Sequence, residues 1–324
     1  MRSNFFKAYT QFNDYKTLKH GRVATWTDGD VHLIREATKQ YFQSLHDKLR
    51  GNQESKFVCD FEERDSELGG RSTSTMAFVQ LHNEQLPSKF YVKYVFNSFI
   101  QDPYKLQGTS SGQPAEIYEL FCYELLATMG IGPKCHIIPP NPNTGSRTSV
   151  YVASKWSKDL VLMKNVIAEN SLSVDSMVQI ILLRVLLWIT DLHTENCGVW
   201  KGTTDVAIVD FAPVGDYKVY ANIETELLDT SPNKSWKYEY KSFKKKHERD
   251  WLQIAKKYLD KWQMSSKIAL AHKKFLGTKD LLKTLELSFK MRQLRESPTD
   301  QINEYVDVLN RNLENLENLF SIVH

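Results

Sequence analysis

Residues 190–211 read Thr190-Asp191-Leu192-His193-Thr194-Glu195-Asn196-Cys197-Gly198-Val199, then a polar turn, then Ala207-Ile208-Val209-Asp210-Phe211. In chemical terms this is Asp-x-His-x-x-Asn, followed fourteen positions past Asn196 by an Asp at the end of a β-type run. Two acids and an amide on loops offer hard oxygen ligands, which suit a divalent cation and a phosphate group. The stretch just before, 174–189, is nearly all apolar, with Met177, Val178, Ile180, Ile181, Leu182, Leu183, Val185, Leu186, Leu187 and Trp188. A helix that is apolar all round is a buried one. It would deliver the polar motif from its C-terminal end.

Working outward, the chain before this helix is β-rich. Runs at 56–61, 74–81 and 89–96 are rich in β-branched and aromatic residues and predict strands. Between the first two lies Glu67-Leu68-Gly69-Gly70-Arg71-Ser72-Thr73-Ser74, a turn whose glycines would let backbone N–H groups approach a phosphate. A plain hairpin turn is the alternative reading of the same residues. A helix is predicted over 114–129, with an early Pro, apolar Ile117, Leu120, Phe121, Leu125 and Leu126, and Gly130 at its end. Strands are predicted at 131–138 and 149–156. Upstream, Val31, Ile34, Tyr41, Leu45 and Leu49 recur at helical spacing and Gly51 follows, which predicts a helix over 29–50. The organisation expected is an N-terminal arm and helix (1–55), a β-rich lobe (56–156) and an α-helical lobe with C-terminal helices (157–324). The fold class is α+β.

The totals narrow the function classes. A chain of 324 residues can bury two sizeable cores, and 41% apolar with 25% charged residues describes a folded chain. A net charge of +3 is too small to imply nucleic-acid binding. No apolar run approaches the roughly 20 residues of a membrane helix. Met1-Arg2-Ser3-Asn4-Phe5-Phe6-Lys7 lacks the apolar core of a signal peptide, so an intracellular protein, cytoplasmic or nuclear, is expected. Cys59, Cys122, Cys135 and Cys197 form no CxxC pair and no zinc pattern, which predicts reduced thiols.

Taken together, Lys93 on the third strand, Glu116 or Glu119 on the next helix, Asp191-x-His193-x-x-Asn196, and Val209-Asp210-Phe211 resemble, in order, a protein-kinase-like phosphotransferase. The Asp-x-His-x-x-Asn form is similar to the atypical branch, the phosphoinositide kinases with their protein-kinase relatives and the HipA-type kinases. It also resembles the kinase-like dehydratase domain of class II lanthipeptide synthetases. The stretch from Glu116 through Leu125-Leu126 to Met129-Gly130-Ile131-Gly132-Pro133 resembles the corresponding HipA-type segment. The likeness covers roughly 57–215. It implies a two-lobed kinase-like fold, with ATP and Mg2+ as cofactors. Lys93 would contact nucleotide phosphates, held by Glu116 or Glu119. Gly69, Gly70 and Ser72 would cover the phosphates. Asp191 would orient the attacking hydroxyl or accept its proton, and His193 would orient the loop. Asn196 and Asp210 would hold magnesium. Two features depart from the family: Asp210-Phe211-Ala212-Pro213 stands where Asp-Phe-Gly is usual, and the glycine turn matches neither GxGxxG nor a Walker loop.

The function this implies is an ATP- and magnesium-dependent phosphotransferase acting on a protein Ser/Thr hydroxyl. The alternatives are a small-molecule or lipid kinase, a nucleotidyl transferase, and a catalytically weak or inactive kinase-fold scaffold. Two stretches lie beyond the likeness. Lys241-Ser242-Phe243-Lys244-Lys245-Lys246-His247-Glu248-Arg249 is basic, with Trp236, Tyr238 and Tyr240 just before it and Phe243 within it. It reads as a solvated helix face or as a contact for an acidic partner. At 298–322, Ile302, Val306, Leu309, Leu313, Leu316 and Phe320 form an a/d seam, expected to pack within the chain.

Overall fold

A computed structural model describes residues 28–62, 74–95, 116–139, 150–214, 217–229, 231, 233, 236–247, 250–291 and 297–322. The chain is mixed α+β, with antiparallel strands dominating the N-terminal half and helices the C-terminal half. It divides into two compact units. The first takes in residues up to 116, 135–156 and 280–295; the second takes in 117–134, 157–279 and 296–324.

The first unit is built on a five-stranded antiparallel sheet. In chain order its strands are β1 (Val58–Glu62), β2 (Ser74–Gln80), β3 (Ser88–Val95), β4 (Cys135–Ile138) and β5 (Val150–Lys155), in spatial order β1-β2-β3-β5-β4. Helix α1 (Asp28–Arg50) covers one face. Ile34, Ala37 and Phe42 pack there on Ala77, Val79, Phe90, Val92, Tyr94, Ile138, Tyr151 and Ala153. The buried stripe of α1 is therefore Ile34, Ala37, Thr38, Phe42 and His46, while Leu49 is 53% exposed. Of the apolar positions read from sequence, Ile34 lies in this stripe and Tyr41 and Leu45 pack against the same core, half-buried. In β3 the residues facing α1 alternate as Phe90, Val92 and Tyr94. The pleat puts Lys93 on the opposite face, opposite Ser74 on one side and Val152 on the other. Lys93 is buried there, as is Glu116 at the unit's edge in sequence.

The second unit holds α2 (Ile117–Met129), a small sheet of β6 (Leu160–Leu162), β8 (Cys197–Trp200) and β9 (Val206–Ile208), and the helices α3 (Met163–Ala168), α4 (Val174–Leu187), α5 (Ile223–Asp229), α6 (Lys237–His247), α7 (Trp251–Trp262), α8 (Met264–Gly277) and α10 (Pro298–Ile322). In sequence between α8 and α10, α9 (Lys279–Met291) belongs almost wholly to the first unit. Helix α4 starts on Ser173, whose hydroxyl accepts the Ser176 N–H, and is buried on nearly every side, as its composition predicts. It ends two residues sooner than the sequence suggests, because Trp188 turns left-handed and its ring stacks flat on Tyr220 at 4.2 Å.

Helix α2 packs on α8 and α10 through Phe121, whose ring meets Phe275 and Tyr305 edge-on. The a/d seam of α10 is buried at all six positions, within this unit. After α2, residues 131–134 are a turn, where a strand was expected. Gly130 takes φ +75, and the amides of Ile131 and Gly132 both donate to Leu126 O, which bends the chain out of the helix. Among the described residues, no helix is long and apolar enough to cross a membrane.

Candidate functional site

The second unit brings Asp191, His193, Asn196 and Asp210 onto one backbone framework. The framework begins with a two-residue ribbon in which β7 (Ile189–Thr190) pairs antiparallel with β10 (Ala212–Pro213). Thr190 Oγ1 donates to Ala212 O at 3.1 Å, and Val214 N to Trp188 O at 2.8 Å. The ribbon fixes the residue after β7, Asp191, and the residues before β10, Asp210 and Phe211. It also accounts for the Ala212-Pro213 ending. Both are strand residues here, and an edge ribbon tolerates a proline that gives no ladder donor.

From Asp191 the chain makes tight turns. Asp191 has φ +60, a left-handed conformation that Asp and Asn adopt more readily than other side-chain-bearing residues. His193 N donates to Asp191 O, and Asn196 N to His193 O, both at 2.9 Å. Asn196 Nδ2 donates to Asp191 O at 2.8 Å. Because that partner is a carbonyl, the amide nitrogen must face it, and Oδ1 is the atom left for a cation. The Asn196 carbonyl in turn accepts from Val209 N at 2.8 Å and Asp210 N at 3.3 Å. A single residue thus ties the loop to the strand end that carries Asp210.

Asp210 is itself oriented. Its Oδ1 accepts from its neighbour Phe211 N at 2.9 Å and from Tyr123 Oη at 3.0 Å. The Tyr123 ring packs on Phe211 at 4.6 Å. The turn that follows α2, the helix carrying Tyr123, is bolted to the sheet that leads to Asp210: Ile208 N of β9 donates to Ile131 O at 2.7 Å, and Trp200 Nε1 of β8 to Gly130 O at 3.2 Å. Gly132 fits this approach, since a Cβ there would lie 3.0 Å from Leu126 Cβ.

His193 Nδ1 accepts the Glu195 N–H at 3.2 Å. This is a loop-shaping contact. Glu195 pairs with Lys164 at 2.9 Å across an exposed surface, and that hydrogen bond holds its carboxyl below the usual range. Below the loop, Trp236 is fully buried and donates Nε1–H to Leu192 O at 2.6 Å. Cys197 is buried, and burial followed by the nearby Asp191 charge pushes its thiol far up, so it is inert. All four cysteines are free thiols. Asp191 is exposed; His193, Asn196 and Asp210 are half-buried.

The remaining sequence candidates divide between the two units. Lys93 and Glu116 belong to the first unit and Glu119, in the first turn of α2, to the second; all three are buried. Gly69, Gly70 and Ser72 lie outside the described residues. Tyr123 and Trp236 were missed by sequence reasoning. Nothing local marks Tyr123, whose partner is 87 positions away. Trp236 was noticed only as an aromatic beside lysines.

Chemically, the set offers one amide oxygen and one oriented carboxylate as hard ligands, with a second carboxylate nearby in the chain. That donor set fits magnesium, which keeps several waters and takes the rest of its shell from phosphates. Among the described residues, no group of three or more His, Cys, Asp or Glu side chains is placed to hold a metal ion. No family model matches the sequence, and no curated protein matches it.

Proposed function

We propose that the chain is an ATP- and magnesium-dependent phosphotransferase of the atypical kinase-like type, two-lobed, which phosphorylates a Ser or Thr hydroxyl of a protein. The observation that carries this reading is the Asn196 junction. Its side chain holds the Asp191 carbonyl while its own carbonyl holds the amides of Val209 and Asp210. The Asn196 amide, the Asp210 carboxylate and the backbone that carries Asp191 are fixed relative to one another before any ligand arrives, and phosphoryl transfer asks mainly for positioning and charge neutralisation.

In this proposal Asn196 Oδ1 and the Asp210 carboxylate hold magnesium, with Tyr123 fixing which Asp210 oxygen is turned away. Magnesium, when bound, supplies neutralisation of phosphate charge. Asp191 orients the acceptor hydroxyl and takes its proton. His193 keeps the loop in shape. The resemblance adds Lys93 as the phosphate-binding lysine, with Glu116 or Glu119 as its partner and Gly69, Gly70 and Ser72 over the phosphates.

Incubation with ATP and magnesium followed by intact mass tests this directly. A phosphate added to the chain or to a protein acceptor is expected, traced by γ-labelled and not α-labelled ATP; α-label retention would mean nucleotidyl transfer instead. Asp210→Ala is expected to abolish ATP consumption, Lys93→Met to weaken nucleotide binding, and Asp191→Ala to abolish transfer while nucleotide still binds. Asp210→Ala and Asp191→Ala both behaving like the parent would overturn the mechanism. Absence of any thermal shift at millimolar ATP with magnesium would favour a scaffold.

A further inference from the structure

Helix α6 is two-faced. Tyr240 and, just before the helix, Trp236 are buried, and Phe243 and His247 are half-buried, which forms one stripe. Tyr240 donates its hydroxyl to Leu228 O and meets the Trp251 ring edge-on. The opposite stripe is Tyr238, Lys241, Ser242 and Lys245, all exposed and at steps of three and four, so they are neighbours on one face. Tyr238 is 83% exposed, a large aromatic surface left in water. Lys246 is exposed beside them. Among the described residues, Lys241, Lys245 and Lys246 form no ion pair. Among the described residues, Glu239 is half-buried and Asp250 pairs with His247.

The face has a fixed relation to the candidate site. Trp236, two residues before Tyr238, is bonded to Leu192 O, the carbonyl directly after Asp191. Helix α6 therefore cannot shift without pulling the Asp191–His193 turn. From Tyr238 to Lys245 the stripe runs about 10 Å, the reach of about three residues of an extended chain.

We propose that this stripe is a docking surface for an acidic segment of the substrate protein, its carboxylates meeting Lys241 and Lys245 and an apolar or aromatic residue covering Tyr238. Sign of charge, spacing along one face and an exposed aromatic among the lysines all suit a peptide of this kind. The inference rests on the phosphotransferase reading only for the word substrate; the surface itself is testable by binding.

The experiment uses the full chain and two fluorescein-labelled peptides, each with one Ser followed by a run of Glu or by the same run of Gln. Binding is read by anisotropy and transfer by mass, for the parent, Tyr238→Ala and the Lys241→Glu/Lys245→Glu double variant. The expected result is tighter binding of the Glu peptide, with kcat/KM favouring it by about tenfold and the double variant losing that preference through KM. Salt is expected to weaken the Glu peptide alone. Equal binding of the two peptides, unaltered in the variants, would overturn the surface even if transfer proceeds. Selective Glu-peptide binding lost in the double variant, but with no transfer to either peptide, would keep the surface and sink the phosphotransferase reading. Binding to phosphatidylserine vesicles that depends on the same lysines, without Glu-peptide preference, would overturn the proposal in favour of a membrane.

Discussion

At Asp191 the backbone and the chemistry make separate demands on one side chain. The φ of +60 suits Asp or Asn, and an alanine there carries about 1–2 kcal/mol of strain. Asp191→Asn is therefore expected to melt with the parent while losing transfer, and Asp191→Ala to lose transfer and melt lower as well. Comparing the two melting temperatures separates the roles. Tyr123→Phe probes orientation of Asp210. It removes one donor to Oδ1 at a half-buried carboxylate, which is expected to cost about 1 kcal/mol and to shrink the thermal shift produced by magnesium with ATP. The sequence marked Asp191, Asn196 and Asp210 because polar residues after an apolar helix are conspicuous. It could not mark Tyr123, because an aromatic in a helix buried on most sides reads as core until its hydroxyl finds a partner. Trp236 was hidden the same way: the lysines around it suggested a surface, and the indole went inside.

Elements were legible where one periodicity ruled. The strand runs at 74–81 and 89–96 match β2 and β3 to within a residue, and 298–322 matches α10 with its whole seam inside. They were illegible where a backbone turn overrode composition, at 131–134 and at Trp188. The seam also conceals a polar member: Asn312 is fully buried, accepting from Tyr220 N at 2.9 Å and donating to Lys218 O at 3.1 Å. It thereby steadies the tyrosine stacked on Trp188, at the entry to β7. Strand β8 has its own requirement. A Cβ at Gly198 would lie 2.6 Å from Val161 O and 2.8 Å from Leu160 Cδ1. The first obstacle is backbone, so β6 must move. Gly198→Ala is expected to cost about 2 kcal/mol, read as a lowered denaturant midpoint with an unchanged m-value.

On the scale of the whole chain, the β-then-α order was readable from composition, but membership of the two units was not. Helix α2, read with the strands around it, belongs to the second unit, because apolar residues on most of its sides do not say which partner buries them. Within that unit Asp175 joins α4 to α7. Burial alone would raise its carboxyl, but hydrogen bonds from Lys257 at 2.7 Å and Tyr258 at 2.8 Å outweigh that and hold it below the usual range. A depressed carboxyl stabilises the fold at pH above its unfolded value of about 4 and loses that contribution as pH falls through its folded value. Melting temperatures below pH 4 are expected to fall less steeply for Asp175→Asn than for the parent. The Asn196 junction bears on something else again, the freedom of the chain to vary in length. Because Asn196 grips Val209 and Asp210 directly, residues 197–208 form a side excursion whose ends are already closed. The tip of that hairpin, from Lys201 to Thr203, is exposed, while Thr204 is held by Ser176, Gln179 and Tyr258. Extra residues threaded in there would lengthen the excursion without parting its ends, which makes the tip a natural port for an epitope tag or a reporter fused inside the chain rather than at its termini.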